Sequence, residues 1–145
     1  LPVLLMAAIE FAIFLNLGAS YVTGAEIPFI ASIVIGTIQL GATIDYAILL
    51  TTKYLAERKR GVEKVTAIRK ALSGSIQSII VSAMCFFGAT FGVGAISQID
   101  MIGSLCTLIS RGALISMLIV LTVVPALLVT FDGLIRKTTL GFNKE

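Results

Sequence analysis

The sequence predicts an all-α membrane protein, a bundle of four transmembrane helices, and three observations carry that prediction. Hydrophobic residues make up 57% of the 145 and charged residues 13%, against about 25% charged in a soluble domain. Mean hydropathy is +1.04. The charges are also segregated. Residues 71–99 and 112–131 hold none, residues 27–52 hold only Asp45, and residues 1–25 hold only Glu10. A run of about 20 apolar residues crosses a hydrocarbon core about 30 Å thick. No run shows the broad polar face that a helix of a soluble bundle would need.

The spans fall at 1–17, 27–52, 72–96 and 102–131, in one transmembrane domain covering 1–145. The first, within "LPVLLMAAIEFAIFLNLG", lacks a basic n-region and is interrupted by Glu10, so it does not read as a cleavable signal. The chain starts inside a span without an initiator Met, and the expectation is a piece of a longer protein.

Between the second and third spans lie Lys53, Arg58, Lys59, Arg60, Lys64, Arg69 and Lys70, and after the last come Arg136, Lys137 and Lys144. The other two connections, "GASYVTGAE" and "ISQID", hold no Lys or Arg. The positive-inside rule then makes 53–70 and both termini cytoplasmic. The net charge of +3 reports topology, with no sign of nucleic-acid binding. In the 53–70 loop, Leu55, Val62, Val65, Ile68 and Leu72 recur at near-helical spacing. Two readings stay open: an amphipathic helix on the inner leaflet, or a basic hinge.

The third span carries a stripe of small residues, Ser75, Ser78, Ser82, Cys85, Ala89 and Gly92, at alternating spacings of three and four. In lipid, close backbone approach drives helix association, so this stripe predicts a packing seam. Ile79, Ile80, Val81, Phe86, Phe87 and Phe91 are expected to point elsewhere.

In the second span, Thr37, Gly41, Asp45 and Thr52 share one face. Asp45 lies about 26 Å from the helix start near Pro28 and about 12 Å from Lys53, too deep for its short side chain to reach water. Such a carboxyl costs about 2.5–3.5 kcal/mol on insertion scales and is expected to face protein or a water file. Burial raises a carboxyl pKa, so Asp45 is a candidate proton-handling group. A carboxyl that merely hydrogen-bonds a neighbouring helix is the alternative.

Absences narrow the field. There is no His, so no imidazole switch, His-based metal site or His triad. Cys85 and Cys106 fall inside spans and read as small apolar groups. No phosphate loop, nucleophile–base pair or metal cluster is seen. No enzymatic activity, metal or cofactor is expected.

"GTIQLGATIDYAILLTTKYLAERKRG" resembles the fourth transmembrane segment of the MMPL branch of the resistance-nodulation-division (RND) superfamily, proton-driven exporters of lipids and amphiphiles. "LPVLLMAAIEFAIFLNLGASYVTG", "KALSGSIQSIIVSAMCFFGATFGVG" and "IGSLCTLISRGALISMLIVLTVVPALL" are similar to the third, fifth and sixth segments. The resemblance spans nearly all of the chain. It implies part of an RND-type six-helix half, here its last four helices. Asp45 and Tyr46 then fall on the family's proton-relay Asp-Tyr, which meets a counterpart from the other half. No second Asp-Tyr helix, no first or second segment and no extracytoplasmic porter domain is present here.

Glu10 and Arg111 lie at comparable depths, about 12 Å and about 16 Å from the outer ends of their helices. A lone buried charge is costly, so a Glu10–Arg111 pair is expected. Arg111 reaching Asp45 or headgroup water is the alternative. The leading function is the proton-coupling portion of an exporter of lipids or hydrophobic molecules in the plasma membrane. Its expected partners are the bilayer, the remaining helices and porter domain of the parent, and a lipidic substrate. Thr37, Gly41 and Thr52 would support Asp45. The alternative is a non-transporting scaffold or sterol-sensing-like regulatory bundle. The substrate and oligomeric state are not legible.

Overall fold

A computed structural model describes residues 2–24, 26 and 29–138. Leu1, Ile27, Pro28 and Lys144 of the expected spans and tail lie outside the described residues. Four long helices, α1 (Pro2–Val22), α2 (Phe29–Lys59), α3 (Lys64–Ile96) and α4 (Asp100–Thr130), are followed by the short α5 (Asp132–Thr138). All four long helices are apolar and long enough to span a membrane. The 31 residues of α2 rise about 46 Å at about 1.5 Å each, more than a hydrocarbon core needs. Large apolar side chains such as Phe11, Phe14, Ile33, Phe91 and Leu118 cover the outside, as lipid requires.

The basic stretch 53–70 is largely helical, which corrects the reading of it as a loop. Leaving hydrocarbon does not end a helix, and Lys, Arg, Glu, Ala and Leu are strong helix formers. What ends α2 is Gly61 at φ +79°. The Gly61 N–H donates to Arg58 O at 3.0 Å and the Val62 N–H to Glu57 O at 3.4 Å, the paired bonds of a Schellman stop. Leu55, Val62, Ile68 and Leu72 pack into the core. Val65, the other apolar residue of the stretch, is exposed.

Helix α4 touches α1, α2 and α3. Its small residues Ser110, Gly112, Ala113 and Ser116 are buried, and they let three helices approach it. The expected small-residue seam of α3 is placed differently. Ser75 is buried, but Ser78, Ser82, Cys85 and Ala89 are exposed and Gly92 only partly covered. The inward face of α3 is instead Ala67, Ile68, Ala71, Ser75, Ile79 and Ala83. Ile79 faces inward, against expectation, because Ala71, Ser75 and Ala83 on the same face leave room for it. The Ser75 hydroxyl has no hydrogen-bond partner, so Ser75 contributes by its size.

The apolar core has two parts. The larger surrounds Tyr46, Leu50, Tyr54, Ile79, Val124 and Leu128. The smaller joins Ala31, Ile35, Leu108 and Ile109, with Phe86 and Leu105 against them. A layer of buried polar residues separates them along α2 and α4.

Beyond the larger core, a clamp ties α2 to α5. The Tyr54 hydroxyl donates to Asp132 Oδ1 at 2.6 Å. The Arg58 guanidinium meets the same carboxylate twice, Nε to Oδ1 at 3.0 Å and Nη2 to Oδ2 at 2.6 Å, while Nη1 donates to Val62 O at 2.7 Å. Tyr54 and Asp132 are buried. Desolvation alone would raise the Asp132 carboxyl, but the hydrogen bonds from Arg58 and Tyr54 and the Arg58 charge outweigh it and hold the pKa below its ordinary 3.8. Folding therefore favours the ionised form. The stabilisation is complete above pH 3.8 and is lost as pH falls through the lower folded value. Asp132→Asn leaves Arg58 buried without a counter-charge and is expected to destabilise by about 3–5 kcal/mol at neutral pH. Thermal unfolding in detergent checks this. The gap between wild type and Asp132→Asn should be constant from pH 5 to pH 7 and narrow only in stronger acid.

Candidate functional site

Asp45 lies in the membrane-spanning part of α2, on an exposed face that also carries Thr37, Gly41, Ile48 and Thr52. The four-helix unit thus turns its polar α2 face outward. Thr37 satisfies its own hydroxyl by donating to Ile33 O at 2.9 Å. Tyr46 is buried in the larger core. Successive helix residues point about 100° apart, so Asp45 looks out and Tyr46 looks in.

The structure does not bring Glu10 to Arg111. Glu10 is exposed, while Arg111 donates from Nε to Asn16 Oδ1 at 3.3 Å, from Nη2 to Asn16 O at 3.2 Å, and from Nη2 to the Ser20 hydroxyl. Asn16 and Glu10 point to different sides of α1. Arg111 does not reach Asp45 either. Its partners are neutral oxygens of α1.

These bonds belong to the polar layer that divides the core. Asn16 Nδ2 donates to Gln39 Oε1 at 3.0 Å and to Leu108 O at 3.3 Å, and Gln39 Nε2 donates to Ser116 Oγ at 2.9 Å. The Ser20 and Thr43 hydroxyls close onto Asn16 O and Gln39 O. One network thereby joins α1, α2 and α4. Asn16 and Gln39 were not foreseen. The available signal was a neutral amide inside an apolar span, which needs partners there just as a charge does.

Gly112 makes room for the network. A Cβ at this position would lie 2.5 Å from Asn16 Nδ2 and 2.8 Å from Gln39 Oε1. Gly112→Ala is therefore expected to push the amides apart and destabilise by about 1–3 kcal/mol. Gly36→Ala, where a Cβ meets nothing within 4 Å, should be near neutral. Thermal unfolding of the two variants in the same detergent distinguishes them, and equal loss at both would show that the amide pair is easily displaced.

Among the described residues no group of three or more His, Cys, Asp or Glu could hold a metal ion. The family model described as the MMPL family matches residues 1–137. ActII-3 of Streptomyces coelicolor, named as a membrane protein, is 31% identical over 107 residues, covering 69% of this chain and 14% of that protein. The chain thus spans about one seventh of the length of that relative. No solved structure matches the chain. With four membrane-capable helices in the expected order and a match over almost the whole sequence, the chain belongs to the MMPL family.

Proposed function

We propose that this chain is the membrane-embedded, proton-coupling part of an MMPL-type exporter of hydrophobic or lipidic molecules, with Asp45 as the relay carboxyl. The observation that carries the reading is the outward turn of Asp45. Within hydrocarbon an exposed carboxyl is costly, and the chain offers it no partner among the described residues. Further helices of the parent protein would cover the face of Thr37, Gly41, Asp45 and Thr52. The exposed Ser78, Ser82, Cys85 and Ala89 of α3 would likewise let a further helix come close. Glu10, also exposed in its span, fits the same covering. Tyr46 then acts as a packed neighbour that fixes α2 rather than as a direct hydrogen-bond partner of Asp45.

A carboxyl at a dry helix interface is hard to ionise; one reached by water ionises easily. Alternation between the two states would load and release a proton, and α2 would shift against its covering helices. The porter region, with the substrate contacts, would lie in parts of the parent outside this chain.

Asp45→Asn keeps size and hydrogen bonding but cannot release a proton. In proteoliposomes carrying the whole parent protein, with an imposed pH gradient, export should fall to background while folding and insertion persist. Export at the parental rate would make Asp45 a structural residue.

The reading also fixes orientation, with the α2–α3 turn and α5 cytoplasmic. Cysteines introduced at Thr23 and Glu63, in a background without Cys85 and Cys106, test it with an impermeant thiol reagent on intact cells. Thr23→Cys should label and Glu63→Cys should not. The reverse pattern would invert the topology and place the basic turn outside.

A further inference from the structure

Glu10 is the one charged residue of α1, and it stands exposed within an apolar span. Its depth follows from the hydrogen bond that ties α1 to α2, which run in opposite directions across the membrane. Asn16 Nδ2 donates to Gln39 Oε1. Six residues inward from Asn16 is Glu10, and six residues inward from Gln39 is Asp45. At about 1.5 Å per residue, both lie about 9 Å inward of that bond. The buried side chains agree, since Ala8 of α1 belongs to the same core cluster as Tyr46 and Ala47 of α2. Two exposed carboxyls thus occupy one level of the membrane, on two helices that touch. We propose that Glu10 is a second proton carrier of the transport cycle, loaded and released together with Asp45. The inference rests on the relay reading of Asp45 and doubles the protons moved by this part of the protein.

A carboxyl inside hydrocarbon is costly unless it is neutral or has a partner, and Glu10 forms no ion pair among the described residues. Helix α1 packs on α2 and α4. On α2 the ionisable groups near this level are Asp45 and the buried Tyr46. Lys53 lies about 12 Å further inward, and its ammonium donates to Gly74 O of α3. On α4, Arg111 is turned to Asn16 and Ser20, outward of Glu10, and Cys106 and Asp100 lie further outward still. A proton therefore neutralises Glu10 where no cation does. The shared level gives the two carboxyls one supply of water. A carboxyl reached by water ionises easily and one at a dry interface does not, and a water file that reaches this level reaches both. The polar layer gives them one motion. Asn16 and Gln39 hold each other, and both hold α4 through Leu108 O and Ser116. A shift of α2 therefore draws α1 with it, and Glu10 travels with Asp45.

Dicyclohexylcarbodiimide enters membranes and modifies protonated carboxyls, so it reads proton occupancy without a transported substrate. The whole parent protein in proteoliposomes is treated with it under pH gradients of either direction, and the modified residues are located by peptide mass spectrometry. In wild type, Glu10 and Asp45 should both be modified. Acidifying either side by about one pH unit should raise the modification of both several-fold, up to the limit of about tenfold for one proton per group. Asp45→Asn stands for the permanently neutral state and should leave Glu10 responsive to one side alone. An unmodified Glu10 beside a modified Asp45 would overturn the proposal, leave the relay reading intact and need no variant to fold. A two-sided response of Glu10 that persists unchanged in Asp45→Asn would also overturn it, since the two groups would not share a cycle. An Asp45 that is never modified would count against the relay reading itself, and this proposal would fall with it.

Discussion

A hydrogen-bonding group inside a bilayer has no water to fall back on, and among the described residues most polar side chains of the spans are either bonded within the bundle or turned to its surface, the buried hydroxyls of Thr51 and Ser75 being exceptions. Asn16, Gln39 and Ser116 are closed, in a chain of amide and hydroxyl bonds that joins three helices. Arg111 is held at the edge of that layer. Asp45 and Glu10 are turned outward. The same constraint favours glycine at 112, since the amides occupy the space where a side chain would begin. It also divides the core, because a polar layer and two apolar clusters cannot mix.

The layer and the clamp hold α2 at two places. Gln39 pins it to α1 and α4, and Tyr54 with Arg58 pins it to α5. Asp45 lies between these points. Asp45 therefore sits on a stretch of α2 held on either side, with its own face left open. Tyr46 and Ala47, buried on the opposite side, resist inward movement.

Much of this was legible from charge alone. Long uncharged runs separated by Lys and Arg define the four spans, and a helix runs through each, with α2 continuing to Lys59 and α3 already begun at Lys64. Depth in a membrane and helical structure are different properties, however. The basic residues 53–70 mark where hydrocarbon ends, while Gly61 marks where the helix ends. The α3 stripe shows a related limit. Its spacing gives the face that can accept a close neighbour, but the neighbour is set by what competes for it, and within this chain Ala71, Ile79 and Ala83 won that place. The Asp45 face was readable as one surface, since its residues share a helical period. Its outward turn was not, because facing is decided by the other three helices. Asn16 and Gln39 carried a signal in their polarity that charge-based reading passes over, as did Tyr54 and Asp132, which come together only across a long separation in sequence.

The tight Schellman turn at Gly61 bears on how such a protein enters a membrane. With so few residues between them, α2 and α3 form a helical hairpin whose arms contact each other. Alone, α2 must carry an Asp whose insertion costs about 2.5–3.5 kcal/mol, while each Leu, Ile, Phe or Val returns only about 0.3–0.6 kcal/mol. The uncharged arm of α3, from residue 71 onward, brings a surplus of such residues to the same event. Entering as a pair lets the apolar helix carry its acidic neighbour into the bilayer. The hairpin is then a device of biogenesis as well as of architecture.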